Sequence, residues 1–393
     1  MKFKKWFLLF MIIGLTACIP VETADNSTPK QDRTTEVISN TLVPTDTREP
    51  TLTPTPDYPL EGMGPTDFPE DVNSLTGLAV ENPKLLNRRT IAVKVENMPR
   101  TDRPQSGLSF ADIVYEYYTE FGSTRFIAIY YSQDIDRIGP VRSARHFDVN
   151  VVQSYKSVLL FGGAYFGVMN HLLSTDFSNR LVLEGPSSYP ALYRDNSNGK
   201  NNLFVNTYEL PNVLNKLSIN NNHQNLDGMI FKKSLDASGL KALHVYIHYS
   251  MAVYNLWDFD AQSSKYTRYV DMHEAGNSDE EEYTVLRDHL TNQPITADNV
   301  VILFVEHRYV VKNATEEVLD MNLIGSGDAL IARDGQIFPV QWKRDSSNAL
   351  LTLFDANGQL FPFKPGNTWF EVVGLNSQVV NDDVNWRIDF MIP

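Results

Sequence analysis

Ile91-Ala92-Val93-Lys94-Val95-Glu96, Asp112-Ile113-Val114-Tyr115-Glu116-Tyr117-Tyr118 and Phe126-Ile127-Ala128-Ile129-Tyr130-Tyr131 decide the fold class of this 393-residue chain. The first two alternate in the manner of strands, and the third is an unbroken apolar run of the buried-strand type. Pro140 opens a helical pattern that runs to about Tyr155. Val158-Leu159-Leu160-Phe161 is another short strand, stopped by Gly162-Gly163, and helices are expected over 165–173 and 207–217. Strands interleaved with helices make residues 75–240 a mixed α/β domain. From about Lys241 the texture changes to short apolar runs at 243–249, 252–257, 300–305, 329–332, 337–342, 350–354 and 368–373. Arg333-Asp334-Gly335 and Ala356-Asn357-Gly358 supply hairpin turns between them. Residues 241–393 therefore read as a mainly β domain, and the whole chain as α+β.

The amino end gives an address. Lys2, Lys4 and Lys5 precede the apolar run 6–15. Ten residues of helix rise about 15 Å, half of a bilayer core of about 30 Å. This is an export signal, not a membrane span. Leu15-Thr16-Ala17-Cys18 resembles the bacterial lipobox. The resemblance implies that residues 1–17 are removed and that Cys18 is diacylated as the mature amino terminus. Two acyl chains suffice for stable membrane attachment. Residues 19–74 hold 9 of the 21 prolines and 11 acidic against 3 basic residues, with no hydrophobic period. Residues 18–74 thus read as the lipidated cysteine and a disordered Thr/Pro-rich acidic tether.

Composition removes several function classes. The net charge is −14, which argues against nucleic acid as a partner. The lone cysteine is the expected lipidation site, so no disulfide framework, iron–sulfur cluster, Cys-type zinc site or cysteine nucleophile is available. No HExxH or GxSxG occurs, and Ser197-Asn198-Gly199-Lys200 lies in a polar loop where the lysine stays hydrated and protonated. His244 and His248 share a face, but the run carries no carboxylate, so no metal site and no cofactor are expected.

Three constellations could carry chemistry. Arg137, Arg142 and Arg145 fall within nine residues, beside Gly139-Pro140 and an expected helix start. Guanidinium groups there would grip a carboxylate or phosphate, with Arg142 and Arg145 on one helix face. The alternative is that they pair with Asp112, Glu116 or Glu120 and hold two layers together. Asp112, Val114, Glu116, Tyr118 and Glu120 share one strand face. Glu116, or Asp195 from elsewhere, is a candidate general acid or base. Otherwise that face is simply solvated. Gly162 and Gly163 could let backbone approach a ligand, or could serve a tight strand–helix turn.

Leu75-Thr76-Gly77-Leu78, the run Arg89 to Asn97, Arg103-Pro104-Gln105-Ser106-Gly107-Leu108, Ala111-Asp112-Ile113-Val114-Tyr115-Glu116 and Ile138-Gly139-Pro140-Val141-Arg142-Ser143-Ala144-Arg145 together resemble the YerB-like lipoproteins. So do Asn299-Val300-Val301, Gly325-Ser326-Gly327-Asp328-Ala329-Leu330, Asp334-Gly335, Trp342-Lys343-Arg344 and Pro365-Gly366-Asn367-Thr368-Trp369. The resemblance covers roughly residues 75 to 380. It implies a two-domain, lipid-anchored extracytoplasmic protein with no assigned reaction. One departure stands out. Where the family pattern carries Pro-His-Asn-Leu-Tyr, this chain has Asn201-Asn202-Leu203-Phe204 and no histidine.

Two functions are carried forward. One is an envelope lipoprotein that binds an anionic cell-wall or saccharide ligand, or an envelope protein partner. The other is a cofactor-free hydrolase or transferase acting on wall polymers through Glu116 or Asp195.

Overall fold

The computed structural model of the protein describes residues 58–199 and 201–392. The export signal, Cys18 and the tether up to residue 57 lie outside the described residues. The principal strands are β1 (Ile91–Glu96), β2 (Ile113–Tyr118), β3 (Thr124–Tyr130), β4 (Val158–Phe161), β5 (Leu181–Leu183), β6 (His244–His248), β7 (Tyr254–Asp260), β8 (Lys265–Asp271), β9 (Tyr283–Val285), β10 (Asn299–Lys312), β11 (Glu317–Asn322), β12 (Gly325–Arg333), β13 (Gln336–Arg344), β14 (Thr368–Gly374), β15 (Gln378–Asp382) and β16 (Asn385–Asp389). The helices are α1 (His146–Ser154), α2 (Phe166–Ser174) and α3 (Leu210–Lys216). The fold is α+β.

The larger sheet runs β13-β12-β10-β14-β2-β3-β1-β4-β5, with Leu240–Lys241 beyond β13, β11 on β10 and Thr352–Phe354 on β13. The smaller sheet runs β9-β8-β7-β6-β16-β15, with Thr296–Ala297 on β8. Strand β14 lies parallel to both of its neighbours, β10 and β2, and sets Glu371 opposite Glu116. Residues from either side of position 240 therefore share one sheet. The hairpin expected at Arg333-Asp334-Gly335 joins β12 to β13, with positive φ at Asp334 and Gly335 as a primed turn requires.

Three local expectations change. Pro140 does not open a helix. Ile138 donates to the Val205 carbonyl, Val141 to Leu203 and Arg142 to Lys94, at 2.8 to 2.9 Å. These hydrogen bonds to distant strands hold the segment extended, so α1 starts only at His146. Arg142 and Arg145 consequently precede the helix and share no face of it. The tether stops short of residue 74. From Tyr58 onward the chain lies on the folded body: Met63 and Phe231 exchange two backbone hydrogen bonds of 2.8 Å, and Phe68 meets the Phe231 ring edge-on. Nor is the Glu116 face of β2 solvated, since every residue of that strand is buried.

Candidate functional site

Lys94 and Glu96 share one face of β1, which Asp148 of α1 and Arg142 of the preceding extended segment cover. Lys94 is sealed. Its Nζ donates to the Tyr117 hydroxyl at 2.5 Å and lies 3.3 Å from Asp148. Burial pulls its pKa down to about 7, against the attraction of Asp148.

Glu96 stands at the open end of this face. Its side chain is 1% exposed, and Oε1 lies 3.2 Å from Arg142 Nη1. The Asn201 amide nitrogen donates to the same oxygen at 3.2 Å and also to Asp102, while Asn201 Oδ1 accepts from Arg142 Nη1 at 2.5 Å. Asn201 thus ties two carboxyl groups to one guanidinium, at the position where the family pattern has histidine. Burial first, and then the neighbouring Asp102, push Glu96 up to about 8, although Arg142 and Arg125 pull the other way. A carboxyl group in that state carries its proton at neutral pH.

The other candidates separate from this cluster. Arg137 stacks 3.6 Å above the Phe204 ring and pairs with Asp195 at 2.6 Å. Hydrogen bonds from the Ser197 hydroxyl, Arg137 and the Ser197 amide hold Asp195 down at about 2. It is an anion across the neutral range and a poor general acid. Arg145 pairs with Glu120, which also takes Arg125 at 2.8 Å. Burial would raise Glu120, but the two arginines outweigh it and leave it below the usual carboxylate range. Gly162 and Gly163 follow β4 alongside the arginine segment: Gly162 donates to the Arg142 carbonyl at 3.0 Å, and Ala144 donates to the Gly163 carbonyl at 2.8 Å. A Cβ on Gly162 would come within 3.0 Å of Leu203, so its smallness serves packing there.

Glu116 is enclosed. Its carboxylate and that of Glu371 flank Arg268, and all three side chains are 0% exposed. Asn97 and Thr124 donate to Glu116 at 3.0 and 2.6 Å, while Trp257 and Tyr249 donate to Glu371 at 2.8 and 3.0 Å. The Arg268 guanidinium lies 4.7 Å from the Trp369 ring and 5.1 Å from Trp257. No substrate reaches Glu116. It acts as a clasp between the two sheets, which is the layer-holding alternative realised by a different arginine. A buried arginine inside the strand Lys265–Asp271 gave no sequence signal, because charge in a strand reads as surface.

Two of the clefts elsewhere among the described residues hold titratable clusters. One of about 570 Å³ is lined by Asp112, Asp134, Asp298, Lys265 and Tyr208 among others. Burial raises Asp112 to about 6, against hydrogen bonds from Ser132 and Tyr131. The other, about 320 Å³, holds His146 and His171 with their Nδ1 atoms 2.9 Å apart. His244 pairs with Asp258, and His248 lies between Glu281 and Asp389, so the two do not converge. Among the described residues no group of three or more His, Cys, Asp or Glu side chains could hold a metal ion.

Residues 75–220 match the protein of unknown function (DUF3048) N-terminal domain, and residues 245–370 match the DUF3048 C-terminal domain. The Bacillus subtilis (strain 168) protein YerB, named as a lipoprotein, is 29% identical over 307 residues, 76% of this chain and 85% of its own length. The crystal structure of YerB from Bacillus subtilis is similar with a TM-score of 0.64 and 26% identity, covering 77% of this chain and 96% of that one.

Proposed function

This chain belongs to the YerB-like family, and from that premise we propose that it is a lipid-anchored extracytoplasmic protein of the bacterial envelope that binds an anionic saccharide or wall ligand at Arg142. The address is supported by the apolar run 6–15, by Cys18 and by the lipoprotein name of the Bacillus subtilis relative. One observation carries the binding reading. Arg142 keeps 30% of its side chain exposed, against 17% for Arg137 and 16% for Arg145, and shares its ion-pair partner with no other arginine side chain in contact. A half-open guanidinium beside a carboxyl group that holds a proton favours an incoming carboxylate or phosphate.

Glu96 favours a second reading. A protonated carboxyl group beside a guanidinium is the equipment of a general acid. A hydrolase or transferase acting on wall polymers would use Glu96, in place of Glu116 and Asp195.

The test is a thermal-shift panel of muropeptides, wall polysaccharides and phosphosugars on wild type and Arg142→Ala. A ligand at 100 times its dissociation constant adds about 2.7 kcal/mol of stability. The expected outcome is a shift lost in a still-folded Arg142→Ala. No shift with any ligand, together with a severely destabilised variant, would sink the ligand reading and point to an envelope protein partner. Release of a shortened polymer from a shifting ligand would establish the second reading.

A further inference from the structure

We infer that Glu96 is a built-in, proton-gated competitor for the Arg142 site: when ionised, its carboxylate occupies the guanidinium, and an anionic ligand then binds only as Glu96 takes up one proton. This rests on the reading of Arg142 as an anion site.

The geometry makes the exchange balanced. Glu96 Oε1 and Asn201 Oδ1 both lie on Arg142 Nη1, at 3.2 and 2.5 Å. Glu96 Oε2 is buried and accepts no hydrogen bond among the described residues. An ionised carboxylate needs donors at both oxygens, and a buried oxygen without one is costly. A protonated Glu96 becomes a donor, and the neighbouring Asp102 carboxylate is its acceptor. When Glu96 is ionised, its carboxylate holds the guanidinium and Asp102 lies close by, so an incoming anion is admitted by neutralising Glu96. The proton comes from solvent and settles on the Glu96 carboxyl group. Arg142 transfers its ion pair from Glu96 to the ligand, and no covalent bond changes.

The charged groups around Glu96 come from five elements. Arg142 lies in the extended segment before α1, Asp102 in the turn after β1, and Arg125 opposite Glu96 on β3. Lys94, two residues back on β1, is matched by Asp148 of α1. Glu96 titrates at about 8, so below that value it is already protonated and the site is open. Above it, each pH unit reduces affinity about tenfold, because one proton must be bound with the ligand.

The experiment is calorimetric titration of the protein with D-glucuronate and, in parallel, inorganic sulfate, at a series of values from about pH 6 to about pH 9.5. Buffers of different ionisation enthalpy report the proton uptake. Wild type should bind with constant affinity at the acid end and lose about tenfold per unit at the alkaline end. Glu96→Gln, which imitates the protonated form, should keep its neutral affinity throughout. Asp102→Asn, on a partly exposed turn, should move the break to lower pH. A pH-independent wild type, or the same slope in Glu96→Gln, would overturn the inference and leave the anion site standing. Failure of both probes to bind either protein at any pH would take down the anion reading itself. A ligand-free check closes the remaining gap: the infrared difference between wild type and Glu96→Gln at neutral pH should contain a protonated carboxyl band. An ionised Glu96 there overturns the inference whatever the probes do.

Discussion

Arg268 is asked to neutralise two carboxylates at once, in a place where water reaches none of the three groups. Removing one partner of a buried ion pair costs about 3–5 kcal/mol, because the other charge is left stranded. Arg268→Met strands two, so it should lie at or beyond the top of that range in urea denaturation. Glu371→Gln should behave differently. The amide oxygen can still accept from Trp257, and Tyr249 can turn its hydroxyl to the Glu116 carbonyl at 3.2 Å. One carboxylate then faces one guanidinium, and the expected loss is within about 1 kcal/mol. The pH dependence should change with it. Burial first, and the charge of Glu371 as well, raise Glu116 above the ordinary carboxylate range despite Arg268. The native state therefore holds a proton that the unfolded chain releases, and stability falls as pH rises from the ordinary glutamate pKa toward neutrality. Glu371→Gln should flatten that slope. Equal losses in the two variants, or an unchanged slope, would mean that the clasp is not the two-to-one arrangement described here.

Helix α1 is docked through its third residue. Asp148 accepts the Arg145 amide at 2.7 Å, closing the first turn, and it also accepts the Tyr117 hydroxyl at 2.5 Å and faces Lys94. Asp148→Ala removes a cap and strands a buried ammonium, a loss of about 3–5 kcal/mol. Lys94→Met in the same background removes the stranded charge, so the double variant should be more stable than Asp148→Ala alone, a non-additivity readable in a double-mutant cycle. Additive losses would count against the pairing. Elements with a clear period were legible in the sequence: β1, β2 and β4 fall within a residue of expectation because each run carries its own apolar pattern. Others were not. β15 exposes all five of its residues, so no buried face marks it as a strand. The start of the run from Pro140 reads as helix until the amides of Val141 and Arg142 find the carbonyls of Leu203 and Lys94, each more than forty residues away. Glu96 escaped notice for the same reason. In Ile-Ala-Val-Lys-Val-Glu the ionisable positions mark the face that ordinarily meets solvent, and what buries that face arrives from residues 142, 148 and 201. The arginine cluster was visible, but its sorting into Glu120, Asp195 and Glu96 partners depends on contacts that local spacing does not encode.

Across the whole molecule, β14 is the joint. It inserts between β10 and β2, and its Glu371 and Trp369 carry the contacts to the smaller sheet. The described residues belong to one compact unit, so the two sequence domains should not melt separately. Tryptophan fluorescence and far-ultraviolet circular dichroism should report coincident urea transitions, and two resolved transitions would refute that coupling. The arrangement also imposes a timetable on synthesis. A chain leaves the ribosome amino end first, and 250 positions separate Tyr118 from Thr368. Strand β2 is complete long before its neighbour exists, and until then its outer rung of amides and carbonyls is an invitation to any passing strand. A newborn chain of this protein keeps that edge open until β14 appears, and a premature stop anywhere before β14 yields a product suited to aggregation instead of a smaller working domain.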